Sequence, residues 1–156
     1  MKLTYLLLFI PFLASADIHP SDLTIANVKK MVATLKQNDW KTVFSGIATG
    51  QKEWLGVVPV LATVTNQNQS VELERVMGAA LSANTTEALK TLAILDTKKY
   101  PFMIGSDIVC GVPTEKSDKE IAAFYQRTRD ALLDTDAGAT CLWILEATYD
   151  EWQHSH

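Results

Sequence analysis

Histidine is scarce in this chain, cysteine is scarcer, and the patterns that carry the common catalytic chemistries are missing. There are 3 histidines and 2 cysteines in 156 residues. His19 stands near the start of the chain, and His154 and His156 stand at its end. A general base needs an imidazole held by its neighbours, and chain ends are usually mobile, so no catalytic histidine is expected. His154-x-His156 would need further ligands to hold a metal, and no cluster supplies them, so no metal site is expected. Cys110 has no histidine close in sequence to lower its thiol pKa, which argues against a cysteine nucleophile. Gly-x-Ser-x-Gly, a phosphate-cradling glycine loop and His-Glu-x-x-His are all absent. Two of the 18 acidic residues could still converge as a hydrolase pair, but none stands out along the chain. The expectation is a non-enzymatic protein with no cofactor, and an unrecognised hydrolase is the residual alternative.

A hydrophobic run long enough to cross a bilayer is also lacking. Residues 3–13 are almost wholly apolar, but about eleven residues fall well short of the roughly 20 a spanning helix needs. Lys2 precedes the run and Ala14-Ser15-Ala16 follows it. Together these read as a signal peptide over residues 1–16, with cleavage before Asp17. An uncleaved N-terminal anchor is the alternative. No cysteine follows the run, which argues against a bacterial lipoprotein. Residues 17–156 then form one domain, without a membrane span, in the periplasm or outside the cell. In such an oxidising compartment Cys110 and Cys141 are expected to pair. The bridge would stabilise the fold by roughly 3–4 kcal/mol through loop entropy. Two buried thiols are the alternative, and that requires the export reading to fail.

Positive charge runs out in the second half. Residues 17–106 carry nine basic and eight acidic side chains, while residues 107–156 carry four basic and ten acidic. A nucleic-acid surface needs a basic footprint, so none is expected. A basic protein partner fits better, although a solvated acidic face is the plainer explanation.

No stretch alternates with a clean strand period, and helical spacing recurs throughout. His19-Pro20 makes an entry turn, and Ser21 or Asp22 caps a first helix with Ile25, Val28, Met31 or Val32, and Leu35 inward, ending at Gln37-Asn38. Asp39 caps a second helix with Trp40, Val43, Phe44 and Ile47 inward, and Gly50 stops it. A third begins near Gln51 with Trp54, Leu55, Val58 and Leu61 inward. Pro59 should kink or split it, and Val57-Val58 leaves a strand as the alternative there. Thr65 to Ser70 is polar and reads as a loop. The next helix carries Leu73, Val76, Met77, Ala80 and Leu81. Asn84 and Glu87 then form a capping box before Leu89, Leu92 and Ile94 or Leu95. Residues 97–113 are the longest irregular stretch, pinned by Cys110. Ser117 and Glu120 form a second box before Ile121, Phe124, Tyr125, Thr128 and Leu132. The last helix turns Cys141, Ile144, Leu145, Thr148 and Trp152 inward. The fold class is therefore all-α, a bundle or stack of six to seven short helices with one disulfide. Asn68-Gln69-Ser70 and Asn84-Thr85-Thr86 match the glycosylation pattern, but Asn84 is better read as a cap.

Trp143 and Tyr149 lie off the inward stripe of the last helix, in an acidic setting. Tryptophan and tyrosine dominate interface hot spots, so a partner surface is placed on Trp143, Glu146, Tyr149, Asp150 and Glu151, beside the stretch 97–113. The alternative is a last helix buried on two sides.

The leader ending at Ala14-Ser15-Ala16, the pair Cys110 and Cys141, and the helix starts at Trp40 and Trp54 give the chain a recognisable layout. In that layout it resembles periplasmic immunity proteins, small helical proteins that bind and block toxins delivered by bacterial secretion systems. The likeness covers the whole chain as architecture and carries over no site residue. It implies a secreted toxin or effector as partner. Small-ligand binding or envelope assembly, with an apolar cavity between helices, is the competing reading, and a homodimer is an open alternative for the partner.

Overall fold

The computed structural model describes residues 17–156; the leader and its cleavage site lie outside the described residues. Eight α-helices and no strand are present among them. The fold is built around α4 (Gln67–Ala83), whose Leu73, Val76, Met77, Ala80 and Leu81 recur at helical spacing and are all at most 1% exposed. Helix α4 packs against α2 (Gln37–Ala48), α5 (Thr85–Leu95), α6 (Ser106–Val109) and α7 (Asp118–Leu133). A third layer comes from α3 (Lys52–Leu61) on α2 and α5, and from α8 (Ala139–His154) on α7. The short α1 (Val28–Thr34) contributes Val28 to the core. The buried apolar side chains form one continuous cluster drawing on every helix. Its largest members, among them Ile47, Leu55, Leu92, Ile121 and Leu145, each stabilise by about 1.5–3 kcal/mol through removal from water.

Local chemistry sets the helix ends. Ser117 opens α7 through the expected box: its hydroxyl accepts from the Glu120 N–H, and the Glu120 carboxylate accepts from the Ser117 N–H at 3.1 Å. The same carboxylate also accepts from the Ser117 hydroxyl at 2.6 Å, and this bond, with the backbone bond second, holds the Glu120 carboxyl below its ordinary range. Gly50 stops α2 as expected. Its φ of +73° lets the chain close a Schellman turn, with Gly50 N–H on the Ile47 carbonyl and Gln51 N–H on the Gly46 carbonyl.

Several local expectations are corrected. The polar stretch at Thr65 to Ser70 is largely a helix start: Asn66 and Gln69 exchange backbone-to-side-chain bonds of 2.9 Å in each direction. Glutamine at the third position closes a capping box as glutamate does. Asp39 is not the cap of α2; the helix begins at Gln37, and Asp39 reaches back from its first turn to the Lys36 N–H at 2.8 Å. Gln37-Asn38 therefore opens a helix and does not close one. The first helix starts late, and Ile25 is 85% exposed ahead of it. Asn84 caps α5, but Glu87 turns outward to Lys90 at 2.7 Å, so that box is only half made. The stretch 97–113 contains the extra helix, α6.

Pro59 does not split α3, which runs unbroken through it. Proline has no N–H to offer the carbonyl four residues back, that of Leu55. The Thr91 hydroxyl, from α5, lies 3.3 Å from that carbonyl and 3.0 Å from the Glu87 carbonyl, sharing its one proton between them. Tertiary packing thus meets part of the cost that would break the helix in isolation.

Candidate functional site

Helix α8 is held on its inner side by three kinds of contact. Cys141 is bonded to Cys110 at the end of α6 (S–S 2.04 Å), and both are buried. Ile144 and Leu145 enter the core. Thr148 accepts the Val112 N–H at 3.1 Å, which ties the segment after α6 to the middle of α8. Residues 110–112 are thereby tied to α8.

Towards α7 the contacts are aromatic and ionic. Tyr149 stacks on Tyr125, with centroids 3.8 Å apart and planes 7° apart, and Trp152 continues the stack at 5.5 Å. Arg129 donates from Nε to Glu146 at 2.9 Å, and this contact raises the guanidinium pKa further. The pairs 125–149 and 129–146 run in opposite senses, so α7 and α8 are antiparallel. Glu146 and Tyr149 are thus engaged in joining the two helices. Tyr149 lies off the inward stripe of α8, and periodicity along α8 cannot report the neighbour that it and Glu146 face.

Trp143, Asp150 and Glu151 remain outward. Trp143 is 72% exposed, an unusual state for so large an apolar side chain. Its neighbours one turn away, Ala139, Thr140 and Ala147, are small and exposed. Asp150 and Glu151 are exposed further along the helix, and Asp150 is 3.5 Å from His154. The arrangement is an indole standing clear of a rigid helix, with carboxylates toward the helix end.

A groove of about 590 Å³ lies between α4, α7 and the segment 108–116, floored by Gly78, Val109, Val112 and Phe124. Arg75, Lys116 and Arg127 line it alongside Glu74 and Glu115. Partial burial, with the Glu115 charge second, raises the Glu74 carboxyl above its ordinary range. Glu72 is held low by its hydrogen bond from Arg75. A carboxylate with a raised pKa is one requirement for a general acid, and Ser82 and Thr114 line the same groove as Glu74. No group of three or more His, Cys, Asp and Glu side chains that could hold a metal occurs among the described residues. His154 and His156 bond backbone carbonyls of their own helix. No described helix is long and apolar enough to cross a membrane.

Some structural links had no signal in the sequence. Asp96 grips Ser106 ten residues on, and Asn84 donates to the Gly50 carbonyl at 2.8 Å across 34 residues. That second bond also occupies the Asn84 side chain that the glycosylation pattern would need. No protein-family model, no curated protein and no solved structure matches this chain.

Proposed function

We propose that this chain is an exported binding protein of the immunity or inhibitor kind, which neutralises a secreted toxin or effector by contact through the outer face of α8. The observation that carries the proposal is Trp143, 72% exposed on a helix that is otherwise anchored along its length. An exposed tryptophan is largely unburied by this fold, whereas tryptophan is enriched among the residues that anchor interfaces. The carboxylates of Asp150 and Glu151 favour a basic partner surface and speed encounter with it. The disulfide and the Tyr125–Tyr149 stack hold the face in place before binding, which lowers the ordering cost of association. A buried disulfide also fits a periplasmic or extracellular location. The proposal assigns the chain no catalysis. Small-ligand binding is the second reading, and the groove beside Phe124 favours it.

The test is binding of the mature chain to secreted enzymes encoded beside it. Trp143→Ala should weaken the complex by about 2 kcal/mol or more, roughly thirtyfold, with the thermal midpoint unchanged. Equal affinity for wild type and variant would overturn the assignment of this face.

A further inference from the structure

The segment that leads through α1 into α2 turns an unusual face to solvent. The Thr24 carbonyl accepts the Val28 N–H at 2.8 Å, so helical winding begins at Thr24, ahead of α1. At about 3.6 residues per turn, Ile25, Ala26, Lys29, Lys30 and Ala33 then share one side, and all five are exposed. The other side holds the segment to the fold: Val28 is buried, and Met31, Val32 and Leu35 are half-buried against the core. Ile25 is 85% exposed, more than any other large apolar side chain among the described residues.

The charge of this segment has one sign. Residues 23–38 contain Lys29, Lys30 and Lys36 and no acidic residue. Asp22 and Asp39 stand at the two ends, where their carboxylates accept the His19 and Lys36 N–H groups at 2.8 Å. Those bonds leave both negative charges in place. Counted in full against Lys29, Lys30, Lys36 and Lys41, they leave residues 22–41 with four positive and two negative charges. None of the four lysines makes an ion pair among the described residues. The acidic surplus of the chain lies elsewhere, in residues 107–156. The apolar run at residues 3–13 lies shortly before Ile25 in the chain, so export that engages the run brings this end to a bilayer first.

We propose that this face attaches the protein to the surface of an anionic lipid bilayer. Ile25 enters the boundary between head groups and acyl chains, and Lys29, Lys30 and Lys36 meet the lipid phosphates. One isoleucine and three lysines give a weak, reversible attachment, far short of that of a spanning helix. The same surface repels the acidic residues of α7 and α8, so the molecule approaches it by the α1 end. The site uses no residue of the α8 face, so either assignment can fail alone.

The experiment is flotation of the full mature chain with unilamellar phosphatidylglycerol vesicles at low ionic strength. Phosphatidylcholine vesicles are the zwitterionic control. Binding to phosphatidylglycerol should be about tenfold stronger or more, and should fall as salt is added. Lys29→Gln/Lys30→Gln should weaken it about thirtyfold, and Ile25→Asn about fivefold. Thermal midpoints should not move, because all three side chains are exposed. Lys98→Gln/Lys99→Gln removes the same charge from another exposed pair and should stay within about threefold of wild type. The proposal is overturned by absence of flotation with phosphatidylglycerol, by equal flotation with phosphatidylcholine, or by an equal loss for the two lysine pairs. Self-association without lipid that Ile25→Asn abolishes, read by sedimentation velocity, would also overturn it and assign the face to a second copy of the chain.

Discussion

Trp54 and Trp143 carry the same side chain in opposite circumstances. Trp54 is 5% exposed, and its indole lies where any side chain at Gly46 would project. Gly46→Ala should force that indole aside and lower stability by about 1–3 kcal/mol in chemical denaturation, the usual cost of overpacking. Trp143→Ala should leave stability within about 0.5 kcal/mol of wild type, because its contacts within the fold are few. The contrast separates a tryptophan packed in the core from one left exposed by the fold. At Glu74 the prediction concerns pH. Burial raises its folded pKa above 4.5, so the folded protein binds that proton more tightly than the unfolded chain. The ionised carboxylate is then a cost that is full above the folded pKa and absent below the unfolded one. Glu74→Gln should raise stability by a few tenths of a kcal/mol at pH 7, small because the group is partly solvated. That gain should vanish in denaturation curves below about pH 4. Glu72 has the opposite sign: its lowered pKa gives stability above about 4.5 that fades as pH falls further.

At the scale of elements, α3 makes the clearest claim. Its proline leaves the Leu55 carbonyl without a helix donor, and Thr91 from α5 supplies one. Thr91→Val should cost about 1–3 kcal/mol, the range for a buried acceptor left unpaired. Pro59→Ala restores the backbone donor, so the same Thr91 substitution should cost less in that background. Additive effects in this double-mutant cycle would show that the two residues are not coupled. The same helix marks where sequence reading stops. Helical period locates α4, α5, α7 and α8, because their inward residues fall on one stripe, and Asn84 and Ser117 mark where α5 and α7 begin. Asn66 and Gln69 escape it, since Thr65 to Ser70 is uniformly polar and a box made with glutamine resembles a loop. Pro59 misleads because its remedy sits 36 residues away, and α6 is too short to show any period. For the candidate site, Trp143, Asp150 and Glu151 are legible as outward from α8 alone. The engagement of Glu146 and Tyr149 with α7 is not, because it depends on tertiary pairing.

For the whole molecule, the disulfide joins the segment after α6 to α8 across a separation of 31 residues. Cys110→Ala/Cys141→Ala should lower unfolding free energy by about 2–4 kcal/mol, and hydrogen exchange should speed up first in α6 and α8. Loss confined to α1 and α2 would contradict that role. The acidic half and the exposed tryptophan meet on the helix that this bond secures. We propose that the fold holds this exposed indole on the anchored helix α8 for a partner. It is tested most directly by affinity capture from envelope extract, with the wild-type mature chain beside a Trp143→Ala/Asp150→Lys/Glu151→Lys variant of equal thermal midpoint. The account predicts that wild type retains one secreted enzyme at equal stoichiometry and inhibits it, and that the variant releases it. Retention of the same enzyme by both, or no specific partner for wild type, would contradict it.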